Sequence, residues 1–214
     1  MKKYTAEFIG TFAMVFCGTG AIVINETTNG AVSHVGIAIT SGLIVMAMIY
    51  SLGSISGSHI NPAVTIAFAV VKKFPAKEVL PYIIFQIAGA FSASLVLKFL
   101  FPENLLLGST IPAGSEMQSF ILELILTFLL MFVILNVSHG SREQGIMAGI
   151  AIGSVVLLEA MFAGPISGAS MNPARSIAPA FVSGHLEHLW IYISAPLAGS
   201  LLAVVVCKYF KMPG

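Results

Sequence analysis

Six stretches of predominantly apolar residues recur along this sequence, near positions 5–25, 34–52, 80–100, 118–137, 145–164 and 188–208. Each is long enough to cross a hydrocarbon layer about 30 Å thick as a helix, so the pattern predicts six membrane spans. Two further apolar runs, near 61–71 and 172–182, are too short to cross, and each opens on the same polar triplet, Asn61-Pro62-Ala63 and Asn172-Pro173-Ala174. Asparagine before proline reads as a helix start, because asparagine caps orphan backbone donors and proline tolerates the first helical position. The residues ahead of each start, 53–59 and 164–170, are rich in glycine, serine and histidine or proline and are expected to be non-helical. Irregular backbone at membrane depth persists only where it is buried in protein or lines a water-filled cavity. The fold class expected is therefore an all-α membrane protein with six transmembrane helices and two half-helices.

The chain also reads as two similar halves, a first repeat over about 1–105 and a second over about 115–214, together forming a single domain. Asn61 recurs as Asn172, 111 positions on (172 − 61), and Gly89 as Gly199, 110 positions on (199 − 89). The first spans match as well, Glu7-Phe8-Ile9-Gly10-Thr11-Phe12 being echoed by Glu123-Leu124-Ile125-Leu126-Thr127-Phe128. With three spans per half, the second half must enter the membrane from the opposite side, which makes an inverted repeat. Its consequence is that the two short helices enter from opposite faces and meet N-terminus to N-terminus near the midplane.

Charge then sets orientation. Lys2, Lys3, Lys72, Lys73, Lys77, Arg142, Lys208 and Lys211 fall on one side of six alternating spans. The opposite loops hold Glu26, Glu103, Glu116 and Glu187, with Lys98 the exception. Positive residues favour the cytoplasm, so both termini are expected there, in a multi-pass protein of the cell membrane. Lys2-Lys3 before an apolar run resembles the start of a cleaved leader, but Glu7 interrupts the run and no small-residue cleavage pattern follows, so the first span is read as retained.

Composition agrees: 57% of the residues are hydrophobic and 9% charged, with a mean hydropathy of +0.96, far from the roughly 25% charged residues of soluble domains. A net charge of +1 offers no basic field, which sets nucleic acid aside. Cys17 and Cys207 both lie in apolar runs and read as small buried hydrophobes. No metal site or other cofactor is implied; His59 has no second histidine or cysteine at ligand spacing and reads as a hydrogen-bonded loop residue.

Each helix N-terminus carries roughly half a positive charge, so two facing N-termini oppose cations, hydronium included, along any path between them. The amides of Asn61 and Asn172 can donate to a passing oxygen while loop carbonyls accept. A small neutral solute that both donates and accepts hydrogen bonds fits such a path.

Ser56-Gly57-Ser58-His59-Ile60-Asn61-Pro62-Ala63-Val64-Thr65 and Gly168-Ala169-Ser170-Met171-Asn172-Pro173-Ala174-Arg175-Ser176 carry a resemblance to the aquaporin, or major intrinsic protein, family over essentially the whole chain. The resemblance implies a passive channel, usually a homotetramer with one pore per subunit. It places Arg175 in the selectivity constriction, together with Ser41, twenty residues before Asn61, and Ala160 and Ala169, twelve and three before Asn172. Water-selective members resemble a phenylalanine, a histidine, a small residue and an arginine at these places; glycerol facilitators resemble a tryptophan, a glycine, a phenylalanine and an arginine. Here no ring is present. Three small side chains around one arginine, with serine rather than aspartate at 176, resemble the nodulin-like intrinsic proteins and their bacterial relatives. That likeness implies passage of water with glycerol, urea or undissociated metalloid hydroxides. A water-selective pore is the alternative, should Phe162 or another neighbour lean in.

Glu7 and Glu123, equivalent in the two halves, are expected to accept hydrogen bonds from backbone N–H groups of the irregular segments. Glu159, beside Ala160 and without a counterpart in the first half, is expected to face the vestibule or another subunit. Gly145, Gly149 and Gly153 form a small-residue stripe suited to close helix contact. The rival of another class is a secondary transporter, which also uses inverted repeats and broken helices. Coupling to an ion calls for acidic ligands at the breaks, where this chain has asparagine. An intramembrane enzyme would need a nucleophile with a base or a metal motif, and neither is recognisable.

Overall fold

The computed structural model describes residues 1–138 and 142–211, with the side chains of 142–145 and 211 outside the described part. The side chains of Arg142 and Lys211, used above for orientation, and Gly145 of the glycine stripe therefore lie outside it. The described residues form eight helices: α1 (Lys2–Thr27), α2 (Ser33–Ser56), α3 (Pro62–Val70), α4 (Ala76–Leu100), α5 (Glu116–Val137), α6 (Arg142–Ser167), α7 (Pro173–Ser183) and α8 (Leu189–Lys211). Six are long and apolar enough to cross a membrane, while α3 and α7 are the short helices that start at the triplets.

The surface and interior exchange their usual roles. Large apolar side chains such as Ile84, Phe99, Leu158 and Val205 stand more than half exposed, whereas Glu7, Gln86, Glu123 and Glu159 are fully buried. Charged residues are rarely inside a soluble protein unless paired. Here lipid solvates the apolar exterior, and the polar groups gather around the half-helices.

Packing repeats between the halves. Helix α1 lies along α4 as α5 lies along α8, and α2 against α6 joins the two sets. Close approach is made possible by glycine: a Cβ on Gly89 would run into the carbonyl oxygen of Phe8, and one on Gly199 into that of Leu124. Across the α2–α6 seam, a Cβ on Gly153 would come within 2.8 Å of the Gly42 carbonyl oxygen. Lys3 pairs with Glu78 at 2.9 Å, which gathers the chain start and the first turn of α4 at one end of the bundle. Asn104 donates to Glu26 at 2.8 Å at the other end.

The long helices outrun the sequence expectation at two places. Residues 53–56 continue α2 and residues 164–167 continue α6, so the irregular segments are only 57–61 and 168–172. Glycine keeps its N–H, and proline deprives only the carbonyl four residues earlier, so neither has to stop a helix in its last turn. The stop comes instead at Gly57 and Gly168, both at φ +86°, a left-handed termination that favours glycine.

Adding a β-carbon where two backbones touch is expected to cost about 1–3 kcal/mol or more. Gly89→Val and Gly199→Val should each lower the melting temperature in detergent. Gly53→Ala, where a Cβ meets nothing within 4 Å, should leave it unchanged or raise it.

Candidate functional site

The triplets build the centre of the molecule. Asn61, at φ −157° and ψ 120°, is the N-cap of α3 and its Oδ1 accepts from the Ala63 N–H at 2.9 Å; Pro62 occupies the first helical position. Asn172 caps α7 in the same way, accepting from Ala174 N–H at 3.0 Å, with Pro173 at the first position. Because each Oδ1 is fixed by capping, each Nδ2 is fixed as donor. Asn61 Nδ2 donates to the Met171 carbonyl at 2.8 Å, and Asn172 Nδ2 to the Ile60 carbonyl at 2.9 Å. The exchange ties the two half-helices together across the molecule. It also commits one of the two amide hydrogens of each asparagine, leaving fewer for a solute than the sequence suggests.

The segments leading into the caps are held in unusual backbone. Ser58, Ile60, Ala169 and Met171 have φ of +48°, +42°, +43° and +54°. Left-handed conformation costs roughly 1–2 kcal/mol per non-glycine residue, and a β-branched isoleucine is a clear outlier there. What holds them is a buried carboxylate in each half. Glu7 accepts from Ser56 Oγ (2.7 Å), His59 N–H (2.9 Å), Ile60 N–H (2.7 Å) and Gln86 Nε2 (2.8 Å). Glu123 accepts from Ser167 Oγ (2.7 Å), Ser170 N–H (2.9 Å) and Met171 N–H (2.8 Å). Tyr82 and Tyr192 complete the correspondence by donating to the carbonyls of Ser56 and Ser167 at 2.9 and 2.7 Å.

A cavity of about 470 Å³ runs through this centre. Its lining includes Asn61, Asn172, Ser41, Ala160, Ala169 and Arg175, so the cap and constriction residues inferred from sequence share one space. Gly18 of α1 lies beside Ser41 and adds no side chain. Arg175 Nη1 donates to the Gly108 carbonyl at 2.7 Å, which fixes one side of the guanidinium. Gly108, at φ +68°, belongs to the α4–α5 connection, which folds inward so far that its neighbour Leu107 is fully buried. Phe162 is 56% exposed and is not part of the lining. It points away from the cavity.

Several participants escaped the sequence. Gly108 gave no signal, since a loop glycine says nothing of where its carbonyl will arrive. Gln86 sits in α4 on the same helical face as Gly89 and could have been marked as a buried amide within a span. His59 is hydrogen-bonded to Thr65 Oγ1 at 3.2 Å and ringed by Phe68, Phe74 and Tyr82 at centroid distances of 4.8, 4.8 and 5.3 Å. Glu159 corrects an expectation: it is fully buried within the single chain and absent from the cavity lining, so it faces neither vestibule nor neighbour. Neither of its carboxyl oxygens has a hydrogen-bond partner among the described residues.

A profile of the family described as "Major intrinsic protein" matches residues 1–207. The chain belongs to the major intrinsic protein family. It is 48% identical over 203 residues to Aquaporin NIP1-3 of Oryza sativa subsp. japonica, covering 94% of this chain and 70% of that relative. Nodulin-26 of Glycine max is 46% identical over 202 residues, covering 94% and 74%. Among solved structures, the aquaglyceroporin from Plasmodium falciparum superposes with a TM-score of 0.88 at 25% identity, covering 99% of each chain. This major intrinsic protein is a multi-pass membrane protein and a passive channel for water and small solutes, not an enzyme. Membership also settles the choice against a secondary transporter.

Each buried hydrogen-bonding group left unpaired costs about 1–3 kcal/mol. Glu7→Ala and Glu123→Ala are each expected to reduce the yield of folded protein and lower its detergent melting temperature by several degrees. Ile9→Ala, at an exposed position of α1, should do neither.

Proposed function

We propose that Ser41, Ala160, Ala169 and Arg175 form a wide selectivity filter that passes water together with glycerol, urea or undissociated metalloid hydroxides. The observation that carries this reading is that Ser41, Ala160, Ala169 and Gly18 line the same cavity as Arg175, while Phe162 is exposed and outside that lining. Pore diameter and lining donors set this kind of selectivity. Ser41 Oγ donates its hydrogen to the Ile37 carbonyl at 2.9 Å and leaves lone pairs to accept from a solute hydroxyl. The guanidinium donates. A polyol or a neutral hydroxide, donor and acceptor at once, finds both partners.

Asn61 and Asn172, with Pro62, Ala63, Pro173 and Ala174 behind them, act in this proposal as the central relay point. Their helices α3 and α7 direct two positive dipole ends at it, and Arg175 adds a full charge, so cations meet a barrier while neutral solutes do not. Glu7 and Glu123 are the loop-supporting carboxylates. The chain serves as a single channel domain of two inverted repeats, about 1–105 and 115–214. The names of its relatives, an aquaporin and an aquaglyceroporin, agree with water and glycerol as solutes. We place it in the cell membrane with both termini cytoplasmic, in keeping with the lysines gathered around Lys3 and the α3–α4 connection, and as a homotetramer in keeping with its family.

Stopped-flow light scattering on proteoliposomes tests the solute class with water, glycerol, urea and boric acid side by side. Passage of all four supports a wide filter, and water alone overturns it. Ser41→Phe combined with Ala160→His should cut glycerol passage by roughly tenfold, a barrier increment of about 1.4 kcal/mol, while sparing water; unchanged glycerol flux would put the constriction elsewhere. Arg175→Val should raise proton leak across an imposed pH gradient, and a mutant as tight as the parent would remove the barrier role.

A further inference from the structure

Proline removes a backbone donor, so the carbonyl four residues earlier in a helix loses its partner. In α6 that proline is Pro165 and the carbonyl is that of Met161, the residue after Ala160. The first half has no such gap, because the position 111 residues before Pro165 is Ser54, which keeps its N–H. The orphan carbonyl is met from outside the helix. His34 Nε2, on the first turn of α2, lies 2.6 Å from the Met161 oxygen. A carbonyl only accepts, so the imidazole donates through Nε2–H. Gly164 provides the clearance, since a Cβ there would come within 3.0 Å of the His34 Cε1 atom. A missing donor, a supplied donor and the space to admit it coincide at one point.

That point lies close in sequence to two residues that line the cavity, Ser41 and Ala160. His34 precedes Ser41 by seven residues, two helical turns, which puts both on one side of α2. On the facing helix, Met161 adjoins Ala160. Further along the seam, α2 and α6 are joined by the Tyr50 hydroxyl donating to the Ile146 carbonyl at 3.1 Å and by the Gly42–Gly153 approach. Beyond that approach, toward the end that holds Ser41 and Ala160, the His34–Met161 bond ties the two helices through a side chain. His34 itself is not part of the cavity lining.

We propose that His34 is a positioning residue for the solute filter: by holding the carbonyl that Pro165 orphans, it fixes Ala160 on α6 relative to Ser41 on α2. This rests on the filter reading given above. A solute that fills the opening feels a displaced wall before water does, so losing the tie acts on solute size and not on the existence of the pore.

The test is a double-mutant cycle in proteoliposomes, read as the ratio of glycerol to water permeability and normalised to the amount of protein inserted. His34→Ala should lower the ratio by roughly threefold or more, equivalent to about 0.65 kcal/mol, with water permeability little changed. Pro165→Ala restores an N–H that reaches the Met161 carbonyl, so His34→Ala made in that background should leave the ratio where Pro165→Ala sets it. An equal fall in both backgrounds, or no fall in either, overturns the proposal. If His34→Ala fails to insert, His34→Gln and His34→Leu carry the comparison: glutamine should keep the ratio by keeping a donor, leucine should lose it, and equal ratios overturn the role. The filter reading fails separately, when the unaltered protein passes water but no glycerol.

Discussion

Two buried carboxylates hold the structure's least favourable backbone in place. Glu7 and Glu123 accept hydrogen bonds from N–H groups that lipid cannot satisfy, and those groups belong to segments carrying positive φ at serine, isoleucine, alanine and methionine. Remove the acceptors and the segments have no reason to keep that conformation. Without the segments the caps at Asn61 and Asn172 lose their positions, and with them the opposed half-helices and the cavity. The channel is thus an arrangement of backbone held by side chains, the reverse of the usual relation in which backbone displays side chains.

The two halves reach this arrangement with different parts. Glu7 is supported by Gln86, whose amide hydrogens are divided between the carboxylate and Thr65. The corresponding place in the second half is Pro196, which has none to give. There the neighbourhood is instead a hydroxyl chain, Thr110 to Ser176 at 2.9 Å and Ser170 to Ser176 at 2.6 Å. The second half also carries Arg175 and the proline in the last turn of α6. On the filter proposed above, its irregularities lie where solute is met, and the first half's polar network lies behind its loop.

Much of this was legible in the sequence because it rests on local chemistry. Apolar runs gave the spans, Asn-Pro gave the two helix starts, and the echo of Glu7 in Glu123 identified a shared structural position. Gly53 and Pro165 misled, because both residues punctuate soluble helices yet are carried inside α2 and α6. What could not be read was whatever depends on arrival from a distance: the Gly108 carbonyl at Arg175, the crossed amides of the asparagines, the outward turn of Phe162, the burial of Glu159. Each is settled by how helices rotate against one another, which a single sequence does not encode position by position. His34 is intermediate. Pro165 announces in sequence that a donor is needed, but not which residue brings it.

The crossed amides bear on how the protein is made. Asn61 needs the carbonyl of Met171, 110 residues later, and Ile60 needs the amide of Asn172, 112 residues later. At translation rates of about 5–20 residues per second, the first half-helix waits roughly 5–20 s for its partner. During that interval the Asn61 amide hydrogen and the Ile60 carbonyl are in a membrane without the atoms that satisfy them in the finished molecule, although Glu7 can already hold the loop N–H groups. The first half therefore has to be sheltered, by water or by the insertion machinery, until the second half is synthesised and the pore closes around both.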